Sequence, residues 1–243
     1  MSQIEDILEK ARSYLTTGWS AGKGSLRTMP RNAPDLIWDH SRRTLRLAHR
    51  LMDDPTIEAH RLDDVVLTTA AVFHDACWVD LVKTGRIAPP EVFSRPADAE
   101  LLKHSAQIAC DQVGKDLPER TMEKVVRTIT EFKLPRPSLT ESVLLGDADN
   151  LEDFGVLGFT FLVRSAQALG KSTGQLVESW RRQQEYHYWE ARIKNAFHLE
   201  TARELARRRL ETMGTIFELL HQEINSEKAD EDEPDRHPNM ARG

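Results

Sequence analysis

Apolar residues recur along this chain at intervals of three and four for most of its length, the spacing that turns one face of a helix toward a core. Residues 3–15 carry Ile4, Ile7, Leu8, Ala11 and Leu15 in that pattern, and predict an accessory helix. A Gly-, Ser- and Pro-bearing connection follows up to Pro34. Asp35 then opens a run through Leu51, with Leu47 and Leu51 continuing the face that begins at His40 and Arg42, Arg46 and Arg50 on another. Asp63 or Asp64 can cap the next helix, whose stretch from Val65 to Trp78 is so apolar that it must be largely buried.

Pro89, Pro90 and Pro96 mark a loop, before predicted helices at about 98–113 and 119–132, and Pro135 and Pro137 break the chain again. Glu141 to Leu145 leads into Asp147-Ala148-Asp149, and Leu151, Phe154, Leu157, Phe161 and Leu162 carry a helix onward to about 169. Two long helices, rich in Arg and Glu, are expected between Thr173 and Glu223. No alternating strand pattern and no internal repeat is visible, so the fold class is all-α. The expected organisation is an N-terminal helix and loop (1–34), a helical domain (35–225) and an acidic disordered tail (226–243).

Composition narrows what such a bundle can do. The chain has 243 residues, 40% hydrophobic and 30% charged, enough for one substantial core without disulfides. A net charge of −6 argues against a nucleic-acid polymer as partner, because duplex affinity depends on basic residues meeting phosphates. Cys77 and Cys110 lie in apolar-periodic stretches and read as small buried hydrophobes, which suits a reducing cytoplasm. The first residues lack the basic, then apolar, pattern of a signal peptide, and no run approaches the roughly 18 apolar residues of a membrane span. A soluble cytoplasmic protein with no membrane partner is expected.

Gly18 to Gly24 resembles a phosphate-binding loop only superficially. Three residues separate Gly18 from Gly22, no Ser or Thr follows Lys23, and no strand precedes it. The chemistry lies elsewhere, in ionisable residues set into apolar helical segments: His40, His74-Asp75 and Asp147-Ala148-Asp149. Burying such groups costs several kcal/mol unless they are paired or hold a metal. Taken singly, His40 reads as a hydrogen-bonded core imidazole and Asp149 as a helix cap. Taken together, imidazole nitrogens and carboxylate oxygens from three helices are the donor set of a divalent transition metal. Neighbours on a helix point about 100° apart, so His74 and Asp75 can share an ion only at a helix end.

This set resembles the HD superfamily of metal-dependent phosphohydrolases, whose pattern is a His, a His-Asp doublet and a distal Asp on a helical core. Asp147-Ala148-Asp149-Asn150-Leu151 with Gly155 and Gly158, then Tyr188-Trp189-Glu190, Thr201-Ala202-Arg203, Ala206 to Arg209 and Met213, resemble its YedJ/YpgQ-like subgroup. The resemblance spans roughly residues 35–224. It implies an HD-domain helical bundle with two long C-terminal helices. It also implies one divalent transition metal (Mn, Fe, Ni, Co or Zn) on His40, His74, Asp75 and Asp149, with Asp147 as a supporting acceptor or cap.

The chain departs from that pattern in places. Leu101 stands where members with further ligand histidines carry one, with His104 displaced along the helix; the later position reads Glu131-Phe132. Asn150 and Phe161 occupy places expected to be basic. The implied reaction is hydrolysis of a nucleotide or other small phosphate ester through a metal-bound hydroxide, since an ion with an open position can lower the pKa of water from about 15.7 toward roughly 7.

Asp75, Asp147 and Glu131 are the acid or base candidates near the water, and Asp75 is taken as the catalytic residue. Arg43, one turn from His40, is the expected substrate contact, while Lys133 and Arg136 could reach the site mouth from their loop. Trp38, Phe73 and Trp78 read as core, and Tyr186 to Trp189 as a pocket lid or helix packing. Two other readings stay open: a degenerate member that senses metal or nucleotide, and a purely helical interaction protein. The C-terminal helices could support a homodimer or cover the protein's own core.

Overall fold

The computed structural model describes residues 2–17, 35–58, 60, 62–93 and 96–231. Every regular element among them is helical. The rejected phosphate-loop segment lies outside the described residues, as does the expected tail from 232 onward.

The chain runs through α1 (Gln3–Thr17), α2 (Asp35–Leu51), α3 (Asp64–Phe73), α4 (Cys77–Lys83), α5 (Ala99–Val113) and α6 (Glu119–Glu131). It continues through α7 (Thr140–Glu152), α8 (Gly155–Ala168), α9 (Thr173–Glu185), α10 (Tyr188–Ala196) and α11 (Glu200–Glu231). Asp63, the first of the two acids considered, caps α3 by accepting from the amides of Val65 and Val66. From Val66 to Phe73 every residue of α3 is buried, because α1, α2, α5, α6 and α7 surround it.

Two apolar clusters flank the α2–α3–α7 layer. One joins α1 to α6 through Ile37, Phe73, Trp78, Ile129 and Phe132, and the other joins α7 to the C-terminal helices through Leu144, Phe154, Trp180, Trp189 and Phe217. The accessory helix α1 is more deeply embedded than its sequence position implies, with Ile7, Ala11 and Leu15 fully buried in the first cluster. Asp64–Lys83 is apolar and long enough to pass for a membrane span, but 83% of its best window is buried inside the protein.

Three predicted continuous helices are broken. The 63–78 run turns at His74–Ala76 before α4 begins. The run from 141 to 169 divides at Asp153-Phe154, where Gly155 adopts φ +79°, a conformation that a side chain would strain. The two expected C-terminal helices are three, because His187 takes a left-handed φ of 51° and Phe197 is extended. The last helix runs through Glu231, beyond the expected boundary at 225.

Gly146 matters for the site. A Cβ there would lie 2.4 Å from the Phe132 carbonyl, so α7 presses directly on the end of α6 and draws Lys133 and Asp149 together.

Candidate metal centre

The break at the end of α3 lets two adjacent candidate ligands face one point. His74 terminates α3 while Asp75 belongs to the following turn, and both side chains face one point from a helix end. His40 reaches that point from the first turns of α2, and Asp149 from the last turn of α7.

His40 Nε2 is 3.2 Å from His74 Nε2, 3.3 Å from Asp75 Oδ2 and 3.3 Å from Asp149 Oδ1. His74 Nε2 is 3.3 Å from Asp75 Oδ2 and 3.4 Å from Asp149 Oδ1. Each residue turns one donor atom inward, and all four lie within 4.8 Å of one another. Ligands about 2.0–2.1 Å from a common ion at tetrahedral or octahedral angles stand roughly 2.9–3.4 Å apart, so these edges fit a transition-metal radius. Among the described residues this is the one such His, Cys and carboxylate cluster.

The surrounding contacts set the donor states. His74 Nδ1 is 2.8 Å from the Ala71 carbonyl, which can only accept, so the proton sits on Nδ1 and the Nε2 lone pair faces the site. The Glu152 carboxylate stands 3.5 Å behind His40 Nδ1. Burial alone would lower the His40 pKa, but the carboxylates of Asp149, Asp75 and Glu152 outweigh it and raise it well above the usual imidazole value. Burial likewise opposes ionisation of Asp75 and Asp149. His74 and His40 nevertheless hold the Asp75 pKa down, and Lys133 with both histidines holds that of Asp149 down. Two ionised carboxylates that draw a proton onto a buried imidazole form a cluster whose charge a divalent cation would balance.

The remaining expected residues divide. Arg43 Nε donates to Glu152 Oε2 at 2.7 Å and so braces the carboxylate behind His40. Asp147 is turned away from the cluster. It accepts from the amides of His198 (2.9 Å) and Leu199 (2.8 Å) and so anchors the start of α11. Glu131 accepts from Arg127 and Ser138 outside the cluster, and His104 pairs with Asp80. Lys133, in contrast, reaches the site: its Nζ lies 3.6 Å from Asp149 Oδ2 and 5.2 Å above the Phe132 ring.

Of the aromatics, Trp38, Phe73 and Trp78 are core, Trp189 is buried, and Tyr186 is exposed. A groove of about 930 Å³ along α9, α10 and α11 shares no lining residue with the cluster.

Several site residues escaped sequence reading. Glu152 lies three positions after Asp149 on the same helix face, a spacing that could have revealed it. Phe93, at φ 62°, sets its ring 4.9 Å from that of His40, with Phe161 closing the same side at 6.2 Å; no local pattern announces either contact.

An all-helical bundle whose α2, α3 end and α7 converge on two histidines and two aspartates is the architecture of an HD-domain protein. No protein-family model and no curated protein sequence matches the chain. Among solved structures, Bacillus subtilis YpgQ is similar at TM-score 0.58 and 20% identity, over 92% of this chain and 98% of that one. YpgQ in complex with ADP is similar at TM-score 0.55 and 18% identity, over 91% and 97%. An HD-superfamily hydrolase from Bacillus thuringiensis is similar at TM-score 0.53 and 16% identity, over 92% and 99%. The chain therefore has the HD-domain fold in its YpgQ-like form.

Proposed function

We propose that this chain is a metal-dependent phosphohydrolase acting on a nucleotide or another small phosphate ester or anhydride. The observation that carries the reading is the convergence of His40 Nε2, His74 Nε2, Asp75 Oδ2 and Asp149 Oδ1 within 4.8 Å, at edges suited to one ion. The solved HD-superfamily hydrolase and the ADP complex of YpgQ, both of the same fold, support the reaction class and the kind of ligand.

A divalent ion on these four residues would polarise a phosphoryl oxygen and lower the pKa of bound water. The protein's own groups do the rest. Ala71 fixes the His74 ring from behind and the Glu152 carboxylate stands 3.5 Å behind His40 Nδ1, Asp75 and Asp149 would supply the negative charge to hold a cation, and Lys133 stands beside them for a phosphate oxygen. Phe93 and Phe161 shield the His40 side from water. Asp75, a ligand with one oxygen turned inward, is also the residue assigned to the catalytic proton.

The test is release of orthophosphate or pyrophosphate from a panel of nucleoside mono-, di- and triphosphates with added Mn²⁺, Ni²⁺, Co²⁺ or Zn²⁺ and a chelated control. Metal-dependent release that Asp75→Ala abolishes without altering the melting temperature supports the reading. No release with any metal, or full activity in the Asp75→Ala variant, overturns it.

A further inference from the structure

The groove of about 930 Å³ along α9, α10 and α11 takes no part in the metal-centre chemistry. Its floor is apolar. Trp180 and Ile193 are buried beneath it, with Trp180 stacked on Phe217 at 4.3 Å, and Leu210 and Gly214 continue it along α11.

Gly214 points to something that approaches this floor from outside the chain. It sits inside the 32-residue helix α11, where glycine is unfavourable relative to alanine. A Cβ there would meet Trp180 Cζ2 at an ordinary 4.0 Å and no neighbouring element more closely, so the chain's own packing has room for a side chain. Bare backbone at this point permits close approach by another surface. Beside the groove, Tyr186 is 80% exposed and Tyr188 45% exposed, on a turn where His187 takes the left-handed φ of 51° that side chains disfavour. Exposed tyrosines of this kind are enriched in protein interfaces.

The charges specify the partner. Arg203 and Arg207 both pair with Glu200, at 3.0 and 2.9 Å, whereas Glu190, Lys194 and Glu211 make no ion pair among the described residues. Glu190 and Lys194 stand four residues apart on α10, and Arg207 and Glu211 four apart on α11. Opposite charges at that spacing are self-complementary. Across a two-fold axis the same helix returns antiparallel, and each member of the pair meets the copy of the other. The groove is lined by Lys194, Arg203 and Arg207 against Glu190, Glu200 and Glu211, so this face is neutral on a chain of net charge −6, and a second copy is repelled least here.

We propose that the groove is the interface of a two-fold homodimer. Glu190 of one protomer pairs with the partner's Lys194, and Lys194 with the partner's Glu190, while Leu210, Gly214 and the two tyrosines supply the apolar contact. The interface does not depend on the metal centre, and its failure leaves the phosphohydrolase reading untouched.

Sedimentation equilibrium on the full chain, from about 1 to 100 µM, tests this. The parent is expected to reach twice the monomer mass. Glu190→Lys and Lys194→Glu are each expected to weaken self-association about tenfold or more, because like charges then face each other across the axis. An equimolar mixture of the two variants is expected to recover the dimer, and the double variant E190K/K194E to dimerise like the parent. Both positions are exposed, so the melting temperature is expected to stay at the parent value. Tyr186→Ser, at another exposed position, is expected to weaken the dimer about threefold or more and serves if a charge variant fails to fold.

A parent that stays monomeric across the range overturns the homodimer and leaves the groove to a different occupant. A dimer that none of these variants weakens places the two-fold axis elsewhere and overturns it equally. Weakened charge variants that do not recombine on mixing assign Glu190 and Lys194 a role within their own chain, which also overturns it.

Discussion

Lys133 Nζ stands 3.6 Å from Asp149 Oδ2, the carboxylate oxygen that Asp149 does not turn toward His40 and His74. One carboxylate thus joins the candidate metal cluster to a cation at its open side. Burial opposes the Lys133 charge, but Asp149, Asp75 and Asp153 outweigh it and raise the pKa, so the ammonium is retained at neutral pH. Lys133→Ala is expected to lower kcat/KM on a hydrolysed nucleotide about 10- to 100-fold while metal stoichiometry stays at one. An unchanged kcat/KM assigns Lys133 to surface charge alone.

Asp147 and Asp149 are two residues apart and do different work. Asp149→Asn is expected to lose the metal and keep the fold. Asp147→Asn is expected to keep the metal and cost about 1–3 kcal/mol, because a buried acceptor of backbone amides is weakened at the start of α11. Elemental analysis and urea unfolding of both variants check this, and the reverse pattern would show that the distal ligand is Asp147.

Glu152 is almost fully buried behind His40 and receives Arg43 at 2.7 Å. Outer carboxylates of this kind orient a ligating imidazole and strengthen it as a donor. Glu152→Gln is expected to weaken metal affinity about 10-fold or more in a chelator competition titration. Wild-type affinity in a folded variant would remove Glu152 from the site.

Asp54 ties the end of α2 to the start of α11 through Thr56 Oγ1 (2.5 Å) and Thr201 Oγ1 (2.6 Å). Burial would raise its pKa, but the Thr201 and Thr56 hydrogen bonds outweigh that and hold the pKa down at about 2, below the ordinary carboxylate value. The unfolded carboxylate therefore takes up its proton first as pH falls. The Asp54 contribution is full above the unfolded pKa of about 4 and is lost as pH falls toward 2. In urea unfolding from pH 6 to 2.5, Asp54→Asn is expected to be less stable than the parent at pH 6 and to approach it at low pH. A constant difference across that range contradicts the account.

Much of this site was legible in the residue order because its chemistry is local. His40 falls on the buried face of α2, the His74-Asp75 doublet interrupts an apolar run, and the resemblance to the HD pattern, through the Ala-Asp-x-Leu setting, implies Asp149 rather than Asp147. The breaks between helices were harder to see. His74–Ala76 lies in an apolar stretch without Gly or Pro, and His187 takes left-handed angles unassisted by glycine.

Long-range partners were hidden for a different reason. Arg43 lies a turn from His40, but its partner Glu152 is far along the chain and no local spacing announces the pair. Arg192 and Asp153 belong to helices whose approach depends on how α10 packs against the end of α7, which periodicity does not encode.

His40, His74, Asp75 and Asp149 are together expected to hold one divalent cation. Anomalous diffraction from crystals grown with Mn²⁺ tests it most directly. The expected result is a single strong peak about 2.0–2.3 Å from His40 Nε2, His74 Nε2, Asp75 Oδ2 and Asp149 Oδ1. No peak at that point with millimolar metal present, or a peak coordinated by other residues, would contradict the account.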